Sequence, residues 1–146
     1  MDREVIEEKL ESLRRCIRRV REKRPKDIDV LVRDLDLQDI ITLNLTRAVQ
    51  LCVDVGAHMI AGGELRPPST MSEAFDAMVQ TGILEGTLAS RLKKAVGFRN
   101  IAVHNYRSID WAIVHAICQH HLADFDDFAR AVISHLDRPD RMGRQN

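Results

Sequence analysis

Ile6, Leu10, Leu13, Ile17 and Val20 follow one another at intervals of four, three, four and three residues. A helix gathers such positions into one stripe, and that stripe has to be buried against another helix. The spacing predicts a first helix from about Asp2 to Lys23. Pro25 stops it, because proline has no amide proton to donate and its ring clashes with the preceding turn. No segment alternates apolar and polar residues as a half-buried strand would, and there is no internal repeat. The chain therefore reads as all-α.

The other helices follow from the same period and its interruptions. Residues 27–35 read as a short helical turn held by Ile28, Leu31 and Val32. From about Leu37 to Ala61 there is a broad apolar face, made by Ile40, Ile41, Leu43, Leu45, Ala48, Val49, Cys52, Val55 and Met59. Such a face marks a central core helix. Gly62-Gly63 ends it, and Pro67-Pro68 keeps the next residues extended. Thr70-Met71-Ser72-Glu73 has the form of a capping box and opens a short helix to about Gln80, stopped by Gly82. A further helix, starting near Glu85 or Thr87, turns Leu88, Leu92, Ala95 and Val96 inward. The last helix, capped by Ser108 or Asp110, runs to about Leu136 on positions that include Ile113, Val114, Ile117, Cys118, Leu122, Phe125, Phe128 and Val132. The sum is an up-and-down four-helix bundle with additional short helices. It forms one domain over residues 1–138, followed by a flexible polar tail at 139–146.

Several function classes drop out. With 146 residues, 45% of them apolar and 30% charged, the chain can bury an ordinary core without disulfides. No run of about 18 apolar residues is available to span a membrane. The charged start, Met1-Asp2-Arg3-Glu4, has no signal-peptide core, so a cytoplasmic protein is expected. Cys16, Cys52 and Cys118 are an odd count, lie far apart and read as reduced core thiols. His115, His120 and His121 fall at i, i+5 and i+6, not at the i, i+4 spacing of a helical zinc pair. No metal and no cofactor is expected, and no phosphate-binding glycine loop is present. His120 and Asp124, four residues apart, read as a surface pair. Asp124, Asp126 and Asp127 read as a solvated helix face.

Net charge is zero, but it is unevenly spread. Between Arg14 and Lys26 eight basic residues face a single acid, Glu22, so this stretch is +7 and the rest of the chain −7. A local positive field can hold nucleic acid on a neutral molecule. Arg14, Arg18 and Arg21 are the candidate RNA contacts, against the plainer reading of a solvated helix face.

Chemistry concentrates in Gly97-Phe98-Arg99-Asn100-Ile101-Ala102-Val103-His104-Asn105-Tyr106. Arginine is a permanent cation whose planar fork matches phosphate oxygens. Histidine titrates near pH ~6.5 and can exchange a proton at neutral pH. Together they suffice for metal-free cleavage of a phosphodiester. Asn100 and His104 share a helical face at i, i+4. Arg99 sits on the neighbouring stripe, about 7.5 Å of rise from His104. One helix does not converge them on one phosphorus; a helix break near His104-Asn105 or a second copy of the chain would.

The stretch resembles the R-N-x-x-x-H-x-Y motif of HepT-like toxins, which belong to the HEPN superfamily of helical ribonucleases. Pro68–Phe75, Gly82-Ile83-Leu84, Leu92–Val96 and Asp39–Met59 are also similar to that family, over roughly residues 1–136. Position 105 of the motif is Asn, where the family is expected to have an acid or Gln at least as often. The resemblance implies a homodimer with the two motifs facing one cleft, and metal-independent RNA cleavage. It also implies a type VII-like toxin–antitoxin pair with an MntA-like minimal nucleotidyltransferase, which places AMP on the motif tyrosine, here Tyr106. In that reading Arg99 and His104 are catalytic. Asn100 supports them by orienting His104 or binding a phosphate oxygen. RNA is preferred to DNA because the 2′-hydroxyl is the nucleophile, and transfer and messenger RNA both remain open. A reading of another class is a non-catalytic helical module that docks or presents substrate to a nucleotidyltransferase.

Overall fold

Asp2 opens α1 (Arg3–Lys23) by accepting the amide protons of Glu4 and Val5 on its carboxylate. The seam read from the sequence is the buried face of this helix: Ile6, Leu10, Leu13, Ile17 and Val20 are at most 1% exposed. The computed structural model describes residues 2–138, and the tail expected at 139–146 lies outside them. Within these residues the chain is helical, with no strand. The elements after α1 are α2 (Ile28–Arg33), α3 (Leu35–Ile60), α4 (Met71–Gln80), α5 (Gly86–His104), a 3-10 turn (Tyr106–Ser108), α6 (Trp111–His120) and α7 (Leu122–Leu136).

Helix α1 packs on α3, α3 on α5, α5 on α7 and α7 back on α1, which closes the four-helix bundle. Helix α4 lies against α3 and α5, while α2 bridges α3 and α6. Phe75 of α4 meets Phe128 of α7 edge to face, ring centres 6.3 Å apart, and ties the short helix to the core. By length and composition α3 could cross a membrane, yet half of that span is buried inside the bundle. It is the central core helix its apolar face called for.

The punctuation of the sequence acts as read. Thr70 Oγ1 accepts from Glu73 N at 3.1 Å, Asp110 accepts from Ala112 N at 2.9 Å, and Gly62 and Gly82 take positive φ just past α3 and α4. Five details differ. The last helix is two, broken at His121 (φ −125°, ψ 4°). There the Cys118 carbonyl accepts from the Arg24 guanidinium at 2.8 Å and Gln119 donates to Pro25 O at 3.0 Å, so the end of α6 is anchored to the α1–α2 loop. Of the residues assigned to hold α2, only Leu31 is buried, and Val32 is half exposed. Leu43 and Ile113, counted in apolar faces, are also half exposed. Asp124 pairs with Arg91 at 2.9 Å and with His121 at 3.4 Å, not with His120, and its side chain is only 13% exposed. Asp126 and Asp127 are likewise engaged, by Arg21 and Arg130, so this acidic face is paired rather than solvated.

Candidate active site

Helix α5 ends at His104 because Asn105 leaves the helical region (φ −152°, ψ 70°). The chain then tightens into the 3-10 turn that carries Tyr106. The break read from the sequence is therefore present. It does not close the gap, since Arg99 and His104 still lie on one helix, about 7.5 Å of rise and roughly 140° of turn apart.

Arg99 is half buried against α3. Its Nη2 donates to Gln50 Oε1 at 3.5 Å and its Nη1 to Asn100 Oδ1 at 3.3 Å. Gln50 is held in turn by donating to Asp54 Oδ1 at 2.9 Å, and Lys9 approaches the other Asp54 oxygen at 3.9 Å. Both acceptors of Arg99 are neutral amide oxygens. They aim the guanidinium without cancelling its charge, and among the described residues no carboxylate pairs with it. An arginine so held is ready for a phosphate. The Asn100 amide oxygen thus meets Arg99, and among the described residues no hydrogen bond joins it to His104.

His104 is exposed and has no hydrogen-bond or ion-pair partner among the described residues. An unengaged imidazole at a helix end is free to exchange protons with a substrate. Ile101 and Val103 beside it are about half exposed, an apolar surface flanking the motif.

Tyr106 is fixed more firmly. Its hydroxyl donates to Asp39 Oδ1 of α3 at 2.7 Å, and its ring meets Trp111 edge to face at 6.0 Å. Partial burial, then the Asp39 hydrogen bond, push the phenol above its ordinary range, with the Thr42 hydroxyl pulling the other way. At neutral pH the phenol is protonated. Arg99 meets Gln50 and Tyr106 meets Asp39, so the site lies along about 16 Å of an antiparallel α3.

Asp39, Gln50 and Asp54 are the site residues that sequence reasoning passed over. Their only signal was polarity within an apolar helix; Gln50 and Asp54 meet at i, i+4, but Arg99 lies 49 residues from Gln50 and Tyr106 lies 67 from Asp39. Of the basic candidates, Arg14 is paired with Glu11 at 3.4 Å, Arg21 with Asp126 of α7, and Arg18 is exposed. The three thiols are buried and unpaired by disulfide. Burial pushes Cys118 up to about 11, which keeps it a thiol and an inert one. Among the described residues no three His, Cys, Asp or Glu side chains group as a metal site.

Comparison with known proteins adds to this geometry. A family model described as ribonuclease HepT-like matches residues 6–132. The mRNA nuclease HepT of Shewanella oneidensis is 35% identical over 125 residues, covering 86% of this chain and 93% of its own. A crystal structure of a toxin–antitoxin with AMP-PNP superposes with a TM-score of 0.84 at 33% identity, covering 90% of this chain and 98% of that one. The tri-AMPylated HEPN toxin of Shewanella oneidensis, in complex with its MNT antitoxin, gives 0.83 at 34% identity, covering 92% and 99%.

Proposed function

This chain belongs to the ribonuclease HepT-like family, and from that membership we propose that it is the toxin of a toxin–antitoxin pair, a metal-independent endoribonuclease acting in the cytoplasm. The observation that carries the assignment of residues is Arg99, held by two amide oxygens with its charge uncancelled, on the same helix as an unengaged His104. Messenger RNA is the substrate to test first, because the Shewanella relative is an mRNA nuclease.

In the reaction the 2′-hydroxyl of RNA attacks the adjacent phosphorus, and the 5′-oxygen leaves. Arg99 binds the non-bridging oxygens and stabilises the charge that builds on them. His104 transfers the proton, as base to the 2′-hydroxyl or as acid to the leaving oxygen. The separation of Arg99 and His104 along α5 favours a second copy facing the first, so that two motifs share one cleft. The exposed Ile101 and Val103 are suited to lie in that contact.

The partner is a nucleotidyltransferase antitoxin that uses ATP, and Tyr106 is the acceptor. As Tyr106 Oη bonds to the α-phosphorus and pyrophosphate leaves, the phenolic proton passes to the Asp39 carboxylate, which already accepts its hydrogen bond. The attached AMP brings a bulky, negative group to the end of α5, where it competes with RNA for Arg99.

Arg99→Ala and His104→Ala are each expected to lower RNA cleavage by about 10²–10⁴-fold with an unchanged circular dichroism spectrum. Expression without the antitoxin should arrest growth, and neither variant should. Cleavage is expected to persist in EDTA. Cleavage lost in EDTA and restored by a divalent ion would overturn this mechanism, and no cleavage of any RNA would return the chain to a docking module.

A further inference from the structure

The basic stretch of α1 divides between two flanks of the helix. On one flank, Arg21 reaches Asp126 of α7. On the other, Arg15 and Arg19 border a groove of about 650 Å³ between α1 and α3, and Arg47 borders it from the α3 side. No acidic residue lines the groove. Arg19 has Glu22 at 3.2 Å, whereas among the described residues Arg15 and Arg47 have no carboxylate partner. Arg3, Arg14, Arg91 and Arg130 are matched by acids elsewhere on the surface, while Arg18, Arg33, Arg66 and Arg107 also have no carboxylate partner among the described residues; what sets Arg15, Arg19 and Arg47 apart is that they border one groove. The positive potential of Arg47 and Arg15 is felt inside the groove, where both pull the Cys16 thiol down against the stronger upward push of its burial.

Gln50 places the groove relative to the site. Its side chain lines the groove and also accepts from Arg99 Nη2 at 3.5 Å. Arg15 and Arg19 are about 6 Å apart along the helix, a spacing that successive phosphates of one nucleic-acid strand can span. Asn44, a neutral polar group, lines the same groove and has its amide donated to Ile40 O at 2.8 Å.

We propose that the groove between α1 and α3 is a second phosphate-binding subsite, in which Arg15, Arg19 and Arg47 hold the backbone of single-stranded RNA leading to Arg99. The proposal rests on the ribonuclease reading above. The subsite reads no base. It adds charge contacts, each of which releases counterions on binding.

The test is binding of a single-stranded oligouridylate across a salt series, in the His104→Ala background so that the probe survives. Joint replacement Arg15→Gln, Arg19→Gln and Arg47→Gln should weaken binding and make the slope of log affinity against log salt shallower by about two, from three lost contacts on a single strand. Arg130→Gln, paired to Asp127 away from the groove, is the control and should leave the slope as it is. Circular dichroism checks that the triple variant is folded. If the native protein cleaves RNA and the triple variant keeps the native salt slope, the subsite is wrong while the nuclease reading stands. A native protein that cleaves no RNA fails at the earlier step instead. A triple variant that loses its second copy or the antitoxin, with RNA binding unchanged, assigns the groove to a protein contact and also overturns the proposal.

Discussion

The phenol of Tyr106 donates to Asp39 Oδ1 at 2.7 Å, so in the proposed adenylylation the departing proton has an acceptor in place before the antitoxin arrives. Partial burial first, and then the hydrogen bond to this carboxylate, push the phenol above its ordinary range. Asp39→Asn keeps an acceptor oxygen but cannot take the proton. AMP transfer to Tyr106 should then slow, by up to about 10²–10⁴-fold. Without a carboxylate to take the proton, transfer needs the phenol already ionised, and burial still holds that ionisation in the alkaline range, so the rate of the variant should climb with pH. The native rate should climb much less. Tyr106→Phe should take up no AMP and stay toxic beside the antitoxin. Mass spectrometry of protein incubated with antitoxin, ATP and magnesium reads both variants; a native rate and pH profile for Asp39→Asn removes the proton acceptor role.

At the scale of elements, α3 decides most of the site, because Asp39, Thr42, Gln50 and Asp54 all ride on it. Its own placement depends on close packing with α4. A Cβ on Gly56 would stand 2.9 Å from Met78 Sδ, tighter than any real contact, although a methionine side chain can move aside. Gly56→Ala is therefore expected to be nearly neutral in urea unfolding, the shift of Met78 offsetting up to about 1 kcal/mol of gained helix propensity. Gly56→Leu has no such escape and should cost about 1–3 kcal/mol. Equal stability of the Leu variant and the native protein would mean that α4 is not seated on α3 here. The break between α6 and α7 was hidden in the sequence for a related reason. The apolar positions continue through His121 without loss of phase, and the contacts found at the break, Arg24 to Cys118 O and Gln119 to Pro25 O, join residues 94 positions apart.

For the whole molecule, the separation of Arg99 from His104 is the main consequence of the fold. By helix geometry one chain sets the two groups about 7.5 Å apart in rise and roughly 140° apart in turn, and half-exposed Ile101 and Val103 lie beside them on α5. Sedimentation at micromolar concentration is expected to give about twice the chain mass of 16.7 kDa. A monomer that cleaves RNA at full rate would sink the shared cleft and leave a single-chain mechanism to be found.

Helix positions, their caps and the buried seam of α1 were legible in the linear chain, because each depends on residues within a turn or two of one another. So was the motif itself, since Arg99, His104 and Tyr106 fall within eight residues. The partners of that motif were not. Gln50 lies 49 residues from Arg99 and Asp39 lies 67 from Tyr106, and only the antiparallel packing of α3 on α5 brings them together. The arginines of α1 show the same division. The seam tells which of them point away from the core, but not which flank faces α3 and which faces α7. That choice, made by the packing of helices around one another, leaves Arg15 and Arg19 over a groove that no acid lines and gives Arg21 an acid on α7.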